Sequence, residues 1–246
     1  MLSYHQSTFD LLKIEPQTSS KAISLLNKFE QVYGLLLPAS IREWYSLTEA
    51  CDILRKYGNQ DPPIELEELE CIQLSEYPRN LPDFGTEKIM PIMHENQGVC
   101  TWAVVLSEVD DPPVIVEFNS VWMPHADRFS TFVYTRVWDW DEARRSCSLG
   151  AQDVNLNRND IEFLQENFEE GPRTYSWPGK TNYRFSDDQT RIIIWDEEEQ
   201  ADWYIFSQSA EALLKTAKCV WQCGKLKDTL HDLDDCGRKV LRTLRR

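Results

Sequence analysis

KIMPIMHENQGVCTWAVVLSEVDDPPVIVEF, running from Lys88 to Phe118, carries three short apolar blocks separated by turn formers. Lys88 to Met93, Cys100 to Leu106 and Val114 to Phe118 are rich in β-branched and apolar residues, the composition of half-buried strands. Asp110, Asp111, Pro112 and Pro113 mark the connection between the last two blocks, which predicts a hairpin with a long tip.

Upstream of these strands the period changes. Ala22, Leu25, Leu26, Phe29, Val32 and Tyr33 recur at the three-and-four spacing of one helical face, and Gly34 follows as a stop. Leu37 and Pro38 open a second predicted helix, with Ile41, Trp44 and Tyr45 on one side, continuing to about Tyr57 before Gly58, Asn59, Asp61, Pro62 and Pro63. Downstream, Asn119 to Asp127 reads as a loop, and Phe129, Phe132, Val133, Val137 and Trp138 predict a helix packed on the sheet.

The C-terminal half has the same texture. A helix is expected near Asp160 to Phe168, then strands at Thr174 to Trp177, Asn182 to Phe185, Arg191 to Trp195 and Trp203 to Phe206, then a helix from Ala210 to Trp221. The order strand, acidic tip, strand, serine, helix occurs at Thr101 to Trp138 and again at Arg191 to Trp221, as a duplicated unit would have it. The last eleven residues, with Arg238, Lys239, Arg242, Arg245 and Arg246, read as a basic helix end or a frayed tail. The fold class is therefore α+β: N-terminal helices on a mostly antiparallel sheet in a core of residues 1–140, and an α+β extension over 141–246. With Asp139 to Asn159 only mildly polar and free of a Gly/Ser-rich or Pro-rich linker, the extension is expected to continue the core's sheet.

With 246 residues and 41% hydrophobic content, the chain can bury a sizeable core without staples. Its apolar runs, such as Leu35 to Leu37 and Ile192 to Ile194, are far shorter than the ~20 residues of a membrane helix. Met1 to Asp10 lacks the basic and apolar regions of a secretory signal, so a cytoplasmic location is expected. Seven scattered cysteines have no disulfide-framework spacing and are expected to be mostly reduced. The net charge of -15 disfavours direct binding of nucleic acid and favours a basic protein partner.

Catalytic patterns are sparse. The four histidines form no zinc-protease pair, and the nine glycines compose no phosphate-binding loop, so neither a catalytic residue nor a cofactor is assigned. His94 and Cys100 are the nearest base and nucleophile for a cysteine hydrolase, but Cys100 reads as a packed strand residue. Cys219, Cys223, His231 and Cys236 could in principle enclose zinc, yet their spacing is not that of a finger or knuckle and the expectation is no metal. Acidic groups at Glu65, Glu67, Glu68 and Glu70, at Asp110 and Asp111, and at Asp196, Glu197, Glu198 and Glu199 suit the docking of a basic protein better than glycoside hydrolysis. Among nine tryptophans, Trp122 beside Pro124 is the expected exposed anchor.

Three segments resemble the SUKH superfamily, which contains fungal cell-wall synthesis regulators and bacterial toxin-immunity proteins. They are the helix ending at Phe29 to Gly34 with Leu37, Pro38, Ala39, Ser40, Ile41, Trp44 and Tyr45; the polar turn His94, Glu95, Asn96, Gln97, Gly98, Val99, Cys100, Thr101, Trp102; and Asp110 to Val116. The similarity spans about residues 21 to 138. The Gly-Gly often found after the second helix is replaced by Lys56, Tyr57, Gly58 and Asn59, and nothing after Asp139 has a counterpart. The resemblance implies a non-enzymatic protein-binding module, an immunity protein that occludes a toxin domain such as a nuclease, or else a regulatory scaffold. Glu95, Asp110, Asp111, Trp122, Asp196, Glu197, Glu198 and Glu199 are the residues expected to meet that partner.

Overall fold

The computed structural model describes residues 1–141 and 146–245. The chain divides into two compact units, Met1–Trp140 and Asp141–Arg246, each with its own antiparallel sheet. Among the described residues the strands pair within the units, five in one sheet and seven in the other, in place of the expected single continuous sheet.

The first unit begins with α1 (Gln6–Leu12), α2 (Ser20–Tyr33), α3 (Ala39–Tyr45) and α4 (Ala50–Tyr57). The Ser19 side chain accepts from the Ala22 N–H to start α2, and Gly34 ends it at φ 60, a conformation that suits a residue without a Cβ. The second predicted helix is two helices. Thr48 donates its N–H to the Gln17 carbonyl and Thr18 bridges Leu47, so the chain turns at Ser46 to Glu49 instead of continuing.

The five strands β1 (Ile72–Gln73), β2 (Lys88–His94), β3 (Cys100–Val105), β4 (Val114–Phe118) and β5 (Val121–Ala126) form a meander in chain order, followed by α5 (Phe129–Trp140). Asn119 and Ser120, at φ 52 and 63, make a two-residue turn between β4 and β5. The expected Asn119 to Asp127 loop is thus a turn plus a strand. This third strand before the helix also breaks the parallel with Arg191 to Trp221, where two strands lead directly into a helix. Helix α5 buries Phe129, Phe132, Val133, Val137 and Trp138, and it contacts β5 as well as α1, α3 and α4. A helix apolar on so many sides belongs in the interior.

The second unit contains β6 (Cys147–Val154), α6 (Arg158–Asn167), β7 (Glu169–Glu170), β8 (Thr174–Tyr175), β9 (Thr181–Ser186), β10 (Thr190–Asp196), β11 (Ala201–Ser207), α7 (Ala210–Val220), α8 (Leu226–Thr229), β12 (His231–Asp232) and α9 (Asp235–Leu244). Of the mildly polar stretch 139–159, residues 142–145 lie outside the described residues, and 147–154 are β6, held between β12 and β11. The C-terminal basic stretch is an ordered helix through Leu244, capped by the Asp234 side chain on the Gly237 N–H at 2.6 Å; Arg246 lies outside the described residues. Gly237 is required by close approach, because a Cβ there would stand 2.0 Å from the Ser148 carbonyl oxygen. Arg238 of this basic stretch pairs with Asp232 and Asp235. Cys147 and Cys236 form a disulfide across 89 positions, which corrects the expectation for those two thiols; Cys51, Cys71, Cys100, Cys219 and Cys223 are free.

Candidate partner-binding surface

The connection from β3 to β4 is anchored at both ends of its acidic tip. The Asp110 carbonyl accepts the Ser40 N–H at 2.8 Å, tying the tip to the start of α3. The Asp111 carboxylate accepts the Ser130 N–H at 3.0 Å and the Ser130 hydroxyl, so it caps the first turn of α5 and is half-buried. Asp110 is exposed; burial, with Asp110 and further acids beside it, raises the Tyr4 pKa. Glu43 gathers the backbone N–H groups of Ser3, Tyr4 and His5, fastening the N-terminal segment to the same corner.

Around this anchored tip the surface is acidic and apolar together. Glu108 and Asp110 flank Val109, which is 58% exposed. Leu36, four residues before Ser40, is 85% exposed and borders a shallow groove of about 520 Å³ lined also by Asn27, Glu30, Gln31, Gly34 and Leu35. Val109 and Leu36 were not singled out by sequence reasoning. Their signals were an aliphatic residue inside an otherwise polar tip and a three-leucine run longer than one helix start needs.

Within the first unit, the other expected contact residues, Glu95 and Trp122, do not gather at this tip. Glu95 sits in the turn between β2 and β3, where its carboxylate accepts the N–H groups of Gln97 at 2.7 Å and Val99 at 3.2 Å. That turn and the Asp110 tip lie at opposite ends of β3, separated by roughly 20 Å of strand. Trp122 is not an exposed anchor. It is 3% exposed, on the face of β5 that packs with Leu74, Ile89, Ala103, Val105 and Ile115 under Leu81 and Phe84. The segment Pro78 to Asn80 pairs with its backbone, Trp122 N–H to the Pro78 carbonyl and Asn80 N–H to the Trp122 carbonyl, so the proline-containing loop closes over the ring.

Asp196, Glu197, Glu198 and Glu199 belong to the second unit, at the turn from β10 to β11. Asp196 accepts the Glu198 N–H at 2.9 Å and Glu198 pairs with Lys180 at 2.6 Å. Partial burial and the neighbouring acids push the Glu197 carboxyl up against the pull of Lys180. Glu197, Glu198 and Glu199 are exposed.

The hydrolase pairing does not form. His94 is opposite Thr101 and its Nδ1 lies 3.0 Å from the threonine hydroxyl, whereas Cys100, one residue away, projects to the other face of the sheet. Burial pushes the Cys100 thiol up to about 12, which leaves it protonated near neutrality. The zinc set is also dispersed: Cys236 is bonded to Cys147, Cys223 is in the core of the second unit with its thiol pushed by burial to about 12, and His231 is in β12. Among the described residues, one trio of potential ligand atoms converges, Cys147, Asp234 and Cys236; two of these are the disulfide sulfurs, and Asp234 is occupied by Ser148 and Gly237. No helix among the described residues is long and apolar enough to cross a membrane.

Comparison with protein-family models, with curated proteins and with solved structures returned no match.

Proposed function

We propose that the chain is a non-enzymatic protein-binding module of the immunity type, which recognises a basic protein, in the leading case a toxin domain, and covers its working surface. The observation that carries this reading is the division of charge. Met1–Trp140 holds 21 acidic and 10 basic residues, and Asp141–Arg246 holds 20 and 16, so most of the -15 excess rides on the first unit. There, Glu108 and Asp110 surround exposed Val109 on a tip held rigid from two sides, an arrangement that steers a basic partner and offers it an apolar contact. The resemblance of residues 21 to 138 to the SUKH superfamily supports the same reading. Action in the cytoplasm belongs to it; in that reducing compartment the Cys147–Cys236 pair is expected to be open.

The test is capture of partners from the source cell by the purified chain, by a Glu108→Lys/Asp110→Lys variant, and at two salt concentrations. Recovery of one basic protein whose own activity the chain blocks, with binding weakened about tenfold or more by the variant and by salt, supports the proposal. Equal recovery by chain and variant would sink the acidic tip as the recognition surface. Recovery of signalling enzymes without inhibition would favour the regulatory scaffold.

A further inference from the structure

The acidic tip is joined to the beginning of the chain through one residue. Ser40, in the first turn of α3, donates its N–H to the Asp110 carbonyl at 2.8 Å, and its own carbonyl lies 3.0 Å from Nε2 of His5. A carbonyl only accepts, so Nε2 carries the proton of the neutral ring and Nδ1 holds the lone pair. Nδ1 has no hydrogen-bond partner among the described residues, and His5 is 1% exposed. The surroundings of the imidazole are aromatic. The Trp44 ring centre is 4.9 Å away and that of Phe129, at the start of α5, is 5.5 Å away. Among the ionisable groups of α1, α3, α5 and the tip, those whose charges act on the ring are Glu43 and Asp111. Both are engaged elsewhere. Glu43 accepts the backbone N–H groups of Ser3, Tyr4 and His5 at 2.6, 2.8 and 3.0 Å, and Asp111 accepts from Ser130.

From this arrangement we infer that His5 is an acid-sensitive latch, whose protonation at Nδ1 undocks the N-terminal segment from α3 and loosens the anchors of the acidic tip. The neutral ring satisfies Ser40 and packs between two aromatic rings, whereas the charged ring would bury a second N–H with no acceptor. Once the segment leaves α3, water solvates that charge. Burial accordingly holds the His5 pKa below its ordinary value of 6.5, against the opposing pull of the Ser40 carbonyl, Glu43 and Asp111. Because the folded value lies below the unfolded one, the docked segment has its full stability above pH 6.5 and loses it as pH falls from there through the folded value. The route to the tip is short. The ring's partner Ser40 anchors Asp110, and its neighbour Phe129 immediately precedes Ser130, which Asp111 caps. One tip anchor therefore rests on the imidazole directly and the other through the adjoining residue. The consequence for recognition of a basic partner rests on the function proposed above; the latch does not.

The experiment measures amide exchange with solvent by NMR on the full chain from about pH 7.5 to about pH 5.5, a range in which ordinary carboxylates stay ionised, and follows the His5 ring protons in the same samples. Protection factors, corrected for the intrinsic rate at each pH, are read at Ser3, Tyr4 and His5, which donate to Glu43, and at Ser40 and Ser130, which hold the tip. The expected result is a ring midpoint below 6.5 and a fall in protection of about threefold or more at both sets of amides as the pH drops. His5→Gln supplies a donor for the Ser40 carbonyl and cannot titrate, so its protection factors should stay level across the range, with thermal unfolding measured to show that it is folded. Should the variant fail to fold, the ring midpoint and the two sets of amides in the parent carry the test. A midpoint at or above 6.5, level protection in the parent, or the same fall in a folded His5→Gln would overturn the latch. A fall at Ser3 and Tyr4 with Ser40 and Ser130 unchanged would overturn its coupling to the tip. No partner is present in these measurements, so failure of the latch and failure of the recognition surface are read separately.

Discussion

The two units solve the same packing problem with different chemistry. The first closes its helices onto its sheet through a buried ion pair: Arg136 donates to the Asp61 carboxylate and to the Gly58 carbonyl at 3.1 Å, and its guanidinium lies 4.6 Å from the centre of the Trp102 ring. Asn96 donates its N–H to the same aspartate at 3.1 Å, which brings the β2–β3 turn into the arrangement. The second unit instead joins its terminal helix to β6 by the Cys147–Cys236 disulfide, beside the Asp234 cap. A noncovalent lock makes the acidic unit dependent on the matching of two charges, whereas the covalent one makes its neighbour dependent on redox conditions. Burial raises the Asp61 carboxyl while Arg136 and the Asn96 N–H pull it down, the opposition expected of a charge kept inside by its partners.

The largest expected effect breaks the first lock. Arg136→Ala should cost about 3–5 kcal/mol, because it leaves a buried carboxylate without its cation. Hydrogen exchange resolved by residue should show the loss in the first unit, with β6, β10 and β11 retaining their protection; uniform loss across the chain would contradict independent locks. Next, Cys236→Ser should cost the second unit about 2–4 kcal/mol and leave the first unchanged. Counting alkylated thiols after unfolding without reductant distinguishes the bridged chain, with five free cysteines, from the open one, with seven.

Alkaline pH sharpens the comparison further. Cys51 and Cys100 in the first unit and Cys223 in the second have thiols raised by burial from an ordinary value of 9.0 to about 12. Since the folded pKa is above the unfolded one, the stability these thiols retain is complete below pH 9 and is lost as pH rises toward 12. The first unit, holding two such thiols, should lose more, and Cys51→Ala/Cys100→Ala should flatten its urea midpoint between pH 9 and 11 relative to the parent. The smallest effect is at the acidic tip. Asp111→Ala should cost about 1 kcal/mol by uncapping α5, while Asp110→Ala should stay within about 0.5 kcal/mol, a difference readable by thermal unfolding.

What was legible in the chain was periodic. The strands over Lys88 to Phe118 and the helix ending at Gly34 follow local alternation and capping, and the structure places them within a residue or two of expectation. β5 and β6 were illegible for different reasons. Pro124 and His125 disguise the first, which is defined by its Asn119–Ser120 turn and by pairing with β4, and Gly150 with Gln152 and Asp153 weakens the second, which is a strand because β11 and β12 flank it. Trp122 shows the same limit at a single side chain. Its type marked it as a possible anchor, but burial came from Leu81 and Phe84, some forty residues earlier in the chain.

The expected contact residues divide along that line as well. Asp110 and Glu197 to Glu199 are exposed turn residues, as local composition indicates, while Asp111 and Glu95 have their carboxylates committed to backbone N–H groups that composition does not reveal. By itself, then, the sequence determined the α+β class, the acidic balance and the helices and strands whose apolar residues repeat at short range, because these depend on neighbours within a few positions. Only the tertiary structure decided that the described strands form two sheets, which tryptophan is covered and which cysteines meet, because each depends on contacts between segments tens of residues apart.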